Sequence, residues 1–250
     1  MKEWWRDLHD IWSKDAATFI VSGKGINNST SEFMGDFIFH RFFGTDDYDK
    51  LSDLGHEQSF ALGKALVAKG LKPDSWMMGE MRRHRETLEG IRLGMGQNNV
   101  KTEIHHGLNE FDFKGLLNAH FKGKPAPAEM HTDRKTHFRT LRETILAWQK
   151  NEVKNPPETW SAFTERVENA KQFICSKQAE TIIALSSGGA IAQMVSSTLQ
   201  TPATQQIKLQ LQMKNCAINM FIFTTKAFYL NGFNETPHIT EATQRFLTYS

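Results

Sequence analysis

The stretch "LSDLGHEQSFALGKALVAKGLKPDSWMMGEMRRHRETLEGI", residues 51–91, places two helical patterns around one short strand pattern. In the first pattern Ser52 can cap a helix, apolar residues recur at helical spacing, and Gly70 can end it. The apolar run "SWMMG" then predicts a strand, and the second helical pattern begins at Arg82. Alternation of this kind is typical of an α/β layered domain.

The same alternation continues on both sides of this stretch and predicts a largely parallel sheet. The other strand patterns are "TFIV" (18–21), "TEIHHG" (102–107), "TIIALS" (181–186), "NMFIF" (219–223) and "AFYL" (227–230). The other helical patterns are "THFRTLRETILAWQK" (136–150), "WSAFTERVENAKQFICSK" (160–177) and "GAIAQMVSSTLQ" (189–200). At its amino terminus "MKEWWRDLHDIW" predicts a further helix, residues 1–14, that packs on its own domain.

Length and charge narrow the class of protein. A chain of 250 residues is long enough for one large domain, so we expect a single domain over residues 1–250. A formal net charge of only +2 gives no field that favours nucleic acid. The apolar runs are too short to span a bilayer, and the cysteines, Cys175 and Cys216, lack metal or redox spacing. We therefore predict a cytoplasmic protein with no integral membrane contact.

The ends of the predicted strands are where an α/β sheet binds its ligands. At the first end, "VSGKG", backbone amides and Lys24 can hold an anion, although a plain surface turn explains the pattern equally well. At the second end, Arg82, Arg83 and Arg85 open a helix, where positive charge opposes the helix dipole. An anionic ligand would explain this arrangement, whereas a solvated basic face is the simpler interpretation for Arg82 and Arg85.

The order of several separated blocks resembles the histidine phosphatase superfamily, also called phosphoglycerate mutase-like. The blocks are "FGTDDYDKLSDLG" (43–55), "GEMRRHRET" (79–87), "LNEFDF" (108–113), "IIALSSGGAIAQMV" (182–195) and "FNETPHI" (233–239). The resemblance covers most of residues 43–240 and implies a three-layer α/β sandwich. It also implies a mostly parallel central sheet with helices on both faces, and a small helical cap contributed by about residues 110–150.

The resemblance also implies roles for individual side chains. Arg83 matches the arginine with which the family binds phosphate, and Glu110 matches its general acid. In such chemistry an imidazole attacks phosphorus, guanidinium groups hold the phosphoryl oxygens, and a carboxylic acid protonates the departing oxygen. Apart from the family, Glu110 can be explained as a carboxylate at a helix amino terminus.

The family's nucleophilic histidine lies in an Arg-His-Gly motif after the first strand. If "TFIV" is that strand, Ser22, Gly23 and Lys24 stand in its place, and glycine cannot be a nucleophile. Ser22 and Lys24 then become candidates for binding phosphate. In a rival alignment "DFIFHRFFG" (36–44) is the first strand and His40 is retained at its end. We favour the first alignment, in which the loop 23–42 has both grown and changed.

The family's second histidine position is occupied by Ser187, as members of the resembling branch tend to have there, so we expect Ser187 at the phosphate. His238 in "FNETPHI" can approach the same pocket, although a structural role explains it as well. The histidines show no metal-binding spacing, so we predict no metal and no cofactor. Nothing in the sequence predicts the oligomeric state.

Together these residues predict a pseudo-phosphatase that binds a phosphorylated small molecule or a phosphoprotein. The alternative is an active phosphomonoesterase that uses His40 or His238 with Arg83 and Glu110.

Overall fold

The computed structural model describes residues 17–22, 49–98, 100–122, 127 and 134–249, with residues 17–22, 134 and 135 described by their backbone alone. The strands are β1 (Ala17–Ser22), β2 (Ser75–Met78), β3 (Thr102–Ile104), β4 (Thr181–Ser186), β5 (Ile218–Phe223) and β6 (Phe228–Glu235). The helices are α1 (Asp53–Ala68), α2 (Arg82–Gly94), α3 (Phe113–His120), α4 (Arg134–Gln149), α5 (Trp160–Cys175), α6 (Gly188–Thr198) and α7 (Gln206–Gln210). Short 3-10 turns lie at His106–Leu108, Ala203–Gln205 and Glu241–Phe246.

All six strands form one sheet in the order β3-β2-β4-β1-β5-β6. The neighbours β3, β2, β4 and β1 pair in parallel, whereas β5 is antiparallel to both β1 and β6. Because parallel strands point the same way, β2, β3, β4 and β1 all end at one edge of the sheet. The loops that follow them are therefore brought together.

Helices cover both faces of this sheet, as alternation along β4 shows. Ile182 and Ala184 pack with α4, α5 and α6, whereas Ile183 and Leu185 pack with α1 and α2. Met77 of β2 faces the first set of helices, and its neighbours face the second. The predicted three-layer α/β fold with a mostly parallel sheet is confirmed.

Helices α1 and α2 approach each other closely in the last turn of α2. A Cβ on Gly63 of α1 would lie 2.2 Å from the carbonyl oxygen of Ile91 and 2.9 Å from Cα of Gly94. Ser52 caps α1 as predicted, since its hydroxyl accepts a hydrogen bond from the Gly55 amide at 3.0 Å.

The predicted amino-terminal helix, residues 1–14, and the loop 23–42 lie outside the described residues. Helices α3 and α4 fall within 110–150, where the cap remains a proposal. Among the described residues, no helix is long and apolar enough to cross a membrane.

Candidate anion-binding site

The site is built where β2, β3 and β4 end side by side. Helix α2 begins four residues after β2, and α6 begins two residues after β4. Between them runs the loop that follows β3, which is tied to the end of β4 because the Ser186 hydroxyl donates to the Leu108 carbonyl oxygen at 2.7 Å. Two helix amino termini and one loop therefore share this edge of the sheet.

Arg83 is the buried cation of the site, with 3% of its surface exposed. Its Nη1 lies 3.2 Å from Oδ1 of Asp49, and its Nη2 donates to Oγ of Ser187 at 3.0 Å. The guanidinium thus connects the start of α2 to the turn before α6. Arg83 and Ser187, each predicted from the sequence to bind phosphate, are in direct contact.

Asp49 holds the amino terminus of α2. Its Oδ2 accepts from the backbone amide of Arg82 at 2.7 Å, and its Oδ1 lies 3.5 Å from the amide of Arg83. The side chain of Met81, at the N-cap position, makes no capping hydrogen bond, so the carboxylate of Asp49, 33 residues before Arg82, caps the helix instead. The sequence analysis did not select Asp49.

His84 is a second residue that the sequence analysis missed. Its Nε2 lies 2.8 Å from Oγ of Ser187. Burial, together with the positive charge of Arg83, lowers the pKa of His84 to about 3. The ring is therefore neutral at neutral pH, which allows it to lie beside the guanidinium.

Glu110 lies on the other side of the same turn. Its Oε2 accepts from the amide of Gly189, in the first turn of α6, at 3.0 Å. A Cβ on Gly189 would lie 2.1 Å from Oε1 of Glu110, so the carboxylate can sit here only because residue 189 is glycine. Arg83 thus contacts Ser187 and Glu110 contacts Gly189, so both side chains bind the start of α6.

The remaining arginines at the start of α2 point away from this cluster. Nε of Arg82 pairs with Oε1 of Glu86 at 2.6 Å, and the Arg82 side chain is 42% exposed. Arg85 is exposed. Both positions agree with the solvated basic face predicted for them.

Ser22 ends β1 beside the site, because its Cα pairs with that of Ser186, one residue before Ser187. Its side chain, together with Lys24 and His40, lies outside what the structure describes.

His238 is buried, and neither of its ring nitrogens has a hydrogen-bond partner among the described residues, so no hydrogen bond joins it to Arg83 or Glu110. Burial lowers the pKa of His238 to about 4.

Among the described residues, no group of three histidine, cysteine or acidic side chains is placed to hold a metal ion. Arg83, Ser187 and two helix starts bring together hydrogen-bond donors of the kind that bind an anion, and Asp49 and Glu110 accept from some of these donors.

Comparison with known proteins places this geometry in a family. The chain is 36% identical over 75 residues to a 2,3-bisphosphoglycerate-dependent phosphoglycerate mutase of Mesorhizobium japonicum, a match that covers 30% of this chain and 36% of the mutase. The matching segment thus spans little more than a third of the length of that curated relative.

Solved structures share the fold at low sequence identity. Phosphoglycerate mutase from Bacillus anthracis superposes with a TM-score of 0.62 at 15% identity, covering 94% of this chain and 99% of that one. A phosphoserine phosphatase mutant from Entamoeba histolytica, in complex with phosphoserine, gives 0.59 at 14% identity over 90% of this chain and all of the other. The family model of the histidine phosphatase superfamily (branch 1) matches residues 39–236. This chain therefore belongs to the histidine phosphatase superfamily.

Proposed function

We propose that this protein is a pseudo-phosphatase that binds a phosphorylated small molecule or phosphoprotein at Arg83 and Ser187. One observation carries the proposal: Ser22 pairs with Ser186. The end of β1 therefore lies beside the candidate site. In the sequence, Ser22 is followed there by Gly23 and Lys24, so the family's Arg-His-Gly motif does not follow this strand. We propose on this basis that the phosphate-binding residues of the family are retained, whereas its histidine nucleophile is lost.

Loss of the nucleophile has a larger effect than loss of a supporting group. Without it the covalent phosphoryl-enzyme route is closed, whereas the binding of the phosphoryl oxygens depends on other side chains. Arg83 presents a planar fork of donors, and Ser187 adds a hydroxyl at 3.0 Å from it. Ser22, at the end of β1, and Lys24, two residues further along the sequence, complete the proposed set of phosphate-binding residues.

Phosphate should stabilise the native protein, because a ligand that binds only the folded state raises its melting temperature by mass action. The test is a thermal unfolding series with inorganic phosphate and phosphoserine at millimolar concentrations. Arg83→Lys, which keeps the charge but loses the fork, should lose most of the shift. The exposed Arg85→Ala, two positions along the same helix, is the matched control and should respond as the parent does.

An assay with an aryl phosphate tests the absence of turnover. We expect no hydrolysis by the purified protein beyond that of the buffer. Hydrolysis that disappears in His40→Ala or in His238→Phe would establish the active phosphomonoesterase instead. Equal phosphate responses from the parent and Arg83→Lys would show that the anion binds elsewhere.

A further inference from the structure

We infer that Asp49 is an internal occupant of the anion subsite and that it selects dianionic phosphate groups over singly charged anions. This inference rests on the proposed function, and it specifies the charge that a ligand of the site must carry. Its basis is the set of donors that converge on one carboxylate at the start of α2.

The donors around Asp49 are those that would hold a phosphoryl group. Oδ2 is 2.7 Å from the amide of Arg82, while Oδ1 is 3.2 Å from Nη1 of Arg83 and 3.5 Å from its amide. A helix amino terminus combined with a buried guanidinium is a strong site for an anion. In this structure the anion that occupies these donors belongs to the chain itself.

Asp49 reaches the subsite from the solvent side. Its side chain is 39% exposed, whereas that of Arg83 is 4% exposed. The carboxylate therefore lies over a buried cation at the surface of the protein. A ligand that arrives from solvent meets Asp49 before it meets Arg83.

The chain next to Asp49 is anchored independently of this contact. The Leu51 amide donates to Oε2 of Glu86 at 2.7 Å, and Leu51 itself is buried. Asp49 can thus leave the donors by a local rotation of the backbone while Leu51 stays on α2. Helix α1 and the packing beneath it need not move.

A tethered carboxylate competes at a high effective concentration. A ligand with a single negative charge brings no more charge to Arg83 than Asp49 already supplies, so it displaces Asp49 poorly. A phosphate monoester carries close to two charges above pH 7 and adds a further acceptor oxygen. The occupant therefore discriminates between anions by their charge.

Asp49→Asn removes the negative charge of residue 49 and keeps the size of its side chain. Asparagine caps helices as well as aspartate does, so the bond to the Arg82 amide is kept and α2 remains capped. The amide carries no charge to compete with the ligand for Arg83. If Asp49 occupies the subsite about nine-tenths of the time, its removal tightens phosphate binding about tenfold.

The experiment is isothermal titration of the parent and Asp49→Asn at pH 8 with inorganic phosphate and, separately, with acetate. We expect phosphate to bind Asp49→Asn about tenfold more tightly than it binds the parent. Acetate should bind measurably only to the variant. Asp53→Asn, an exposed residue with the same change of charge, is the control and should match the parent.

The outcomes separate the two proposals. Phosphate binding that is unchanged or weaker in Asp49→Asn, while the parent binds phosphate, overturns the inference about Asp49 and leaves the proposed function standing. Equal gains in Asp49→Asn and Asp53→Asn would reduce the effect to net charge and overturn it as well. No phosphate binding by either protein overturns the proposed function together with this inference.

Discussion

His238 shows at the scale of one residue how burial makes stability depend on pH. Its pKa is lowered to about 4 from an ordinary value of 6.5, so the unfolded chain takes up a proton that the folded chain excludes. The stability that depends on a neutral His238 is complete above about pH 6.5. It is lost progressively as the pH falls toward 4.

The parent should therefore be less stable at pH 5 than at pH 7.5, by about 2 kcal/mol on account of His238 alone, since one pKa unit corresponds to about 1.4 kcal/mol. His238→Phe removes the titrating group and keeps a ring of similar size. Urea unfolding at the two pH values should show a smaller acid loss in the variant. A loss as large as that of the parent would show that other groups control the acid sensitivity.

Individual residues also show which parts of the candidate site could be predicted from the sequence. Arg83 was predictable because it matches the phosphate-binding arginine of the family. Its position at a helix start did not distinguish it from Arg82 and Arg85. Asp49 and His84 were not predictable, because their partners depend on tertiary contacts. His84 reaches Ser187 across 103 residues, and Asp49 reaches Arg82 across 33. A helix start with no capping side chain at Met81 was the one sequence signal that a distant cap was needed.

Helices α1 and α2 can pack closely because glycine, which has no side chain, lies at their contact. The backbones approach at Gly63, where a Cβ would lie 2.2 Å from the Ile91 carbonyl oxygen. Backbone cannot yield as a flexible side chain does, so Gly63→Ala must push the helices apart. We expect a loss of about 1–3 kcal/mol, despite the better helix propensity of alanine.

Chemical denaturation measures this loss, with Lys64→Ala as the control. Lys64 is the next residue on α1 and is exposed, so its replacement should change stability by less than about 0.5 kcal/mol. Equal stability of Gly63→Ala and the parent would mean that the helices tolerate a wider separation. Because α2 carries Arg83, the same variant should also weaken phosphate binding.

Element boundaries followed from sequence where burial and periodicity agreed. Strand β4 covers the predicted "TIIALS" without change, since it is buried on both faces. Strand β3 ends at Ile104, before the predicted "HHG", because His105 leaves the strand and its Nδ1 accepts from the Gly107 amide at 3.1 Å. Strand β6 runs on to Glu235, past the predicted "AFYL", because pairing with β5 continues through polar residues.

At the scale of the whole molecule, a buried polar cluster joins the carboxy-terminal segment to α1 and to the loop before β5. The Thr248 hydroxyl oxygen accepts from Nε2 of Gln58 and from Nδ2 of Asn215, each at 2.8 Å. All three residues are buried. One hydroxyl thus takes part in joining three regions that are far apart in sequence, and the Phe246 carbonyl oxygen also accepts from Nε2 of Gln58 at 2.7 Å.

Thr248→Val keeps the shape of the side chain and removes both hydrogen bonds. Two buried amide groups then lose an acceptor, which should cost about 1–3 kcal/mol. The urea midpoint should fall while the slope of the transition stays unchanged, because the fold and its buried surface are retained. An altered slope would indicate that the carboxy-terminal segment detaches.

The position of β1 in the sheet has a consequence for how the chain is made. Its partners, β4 and β5, are synthesised long after it, since Ala17 pairs with Thr181 on one side and with Ile222 on the other. During synthesis the backbone groups of the apolar strand "TFIV" therefore remain unpaired on both edges while most of the domain is still being translated. An exposed strand of this kind pairs readily with other chains. The nascent chain thus exposes this strand to pairing with other chains until β4 and β5 emerge and enclose it.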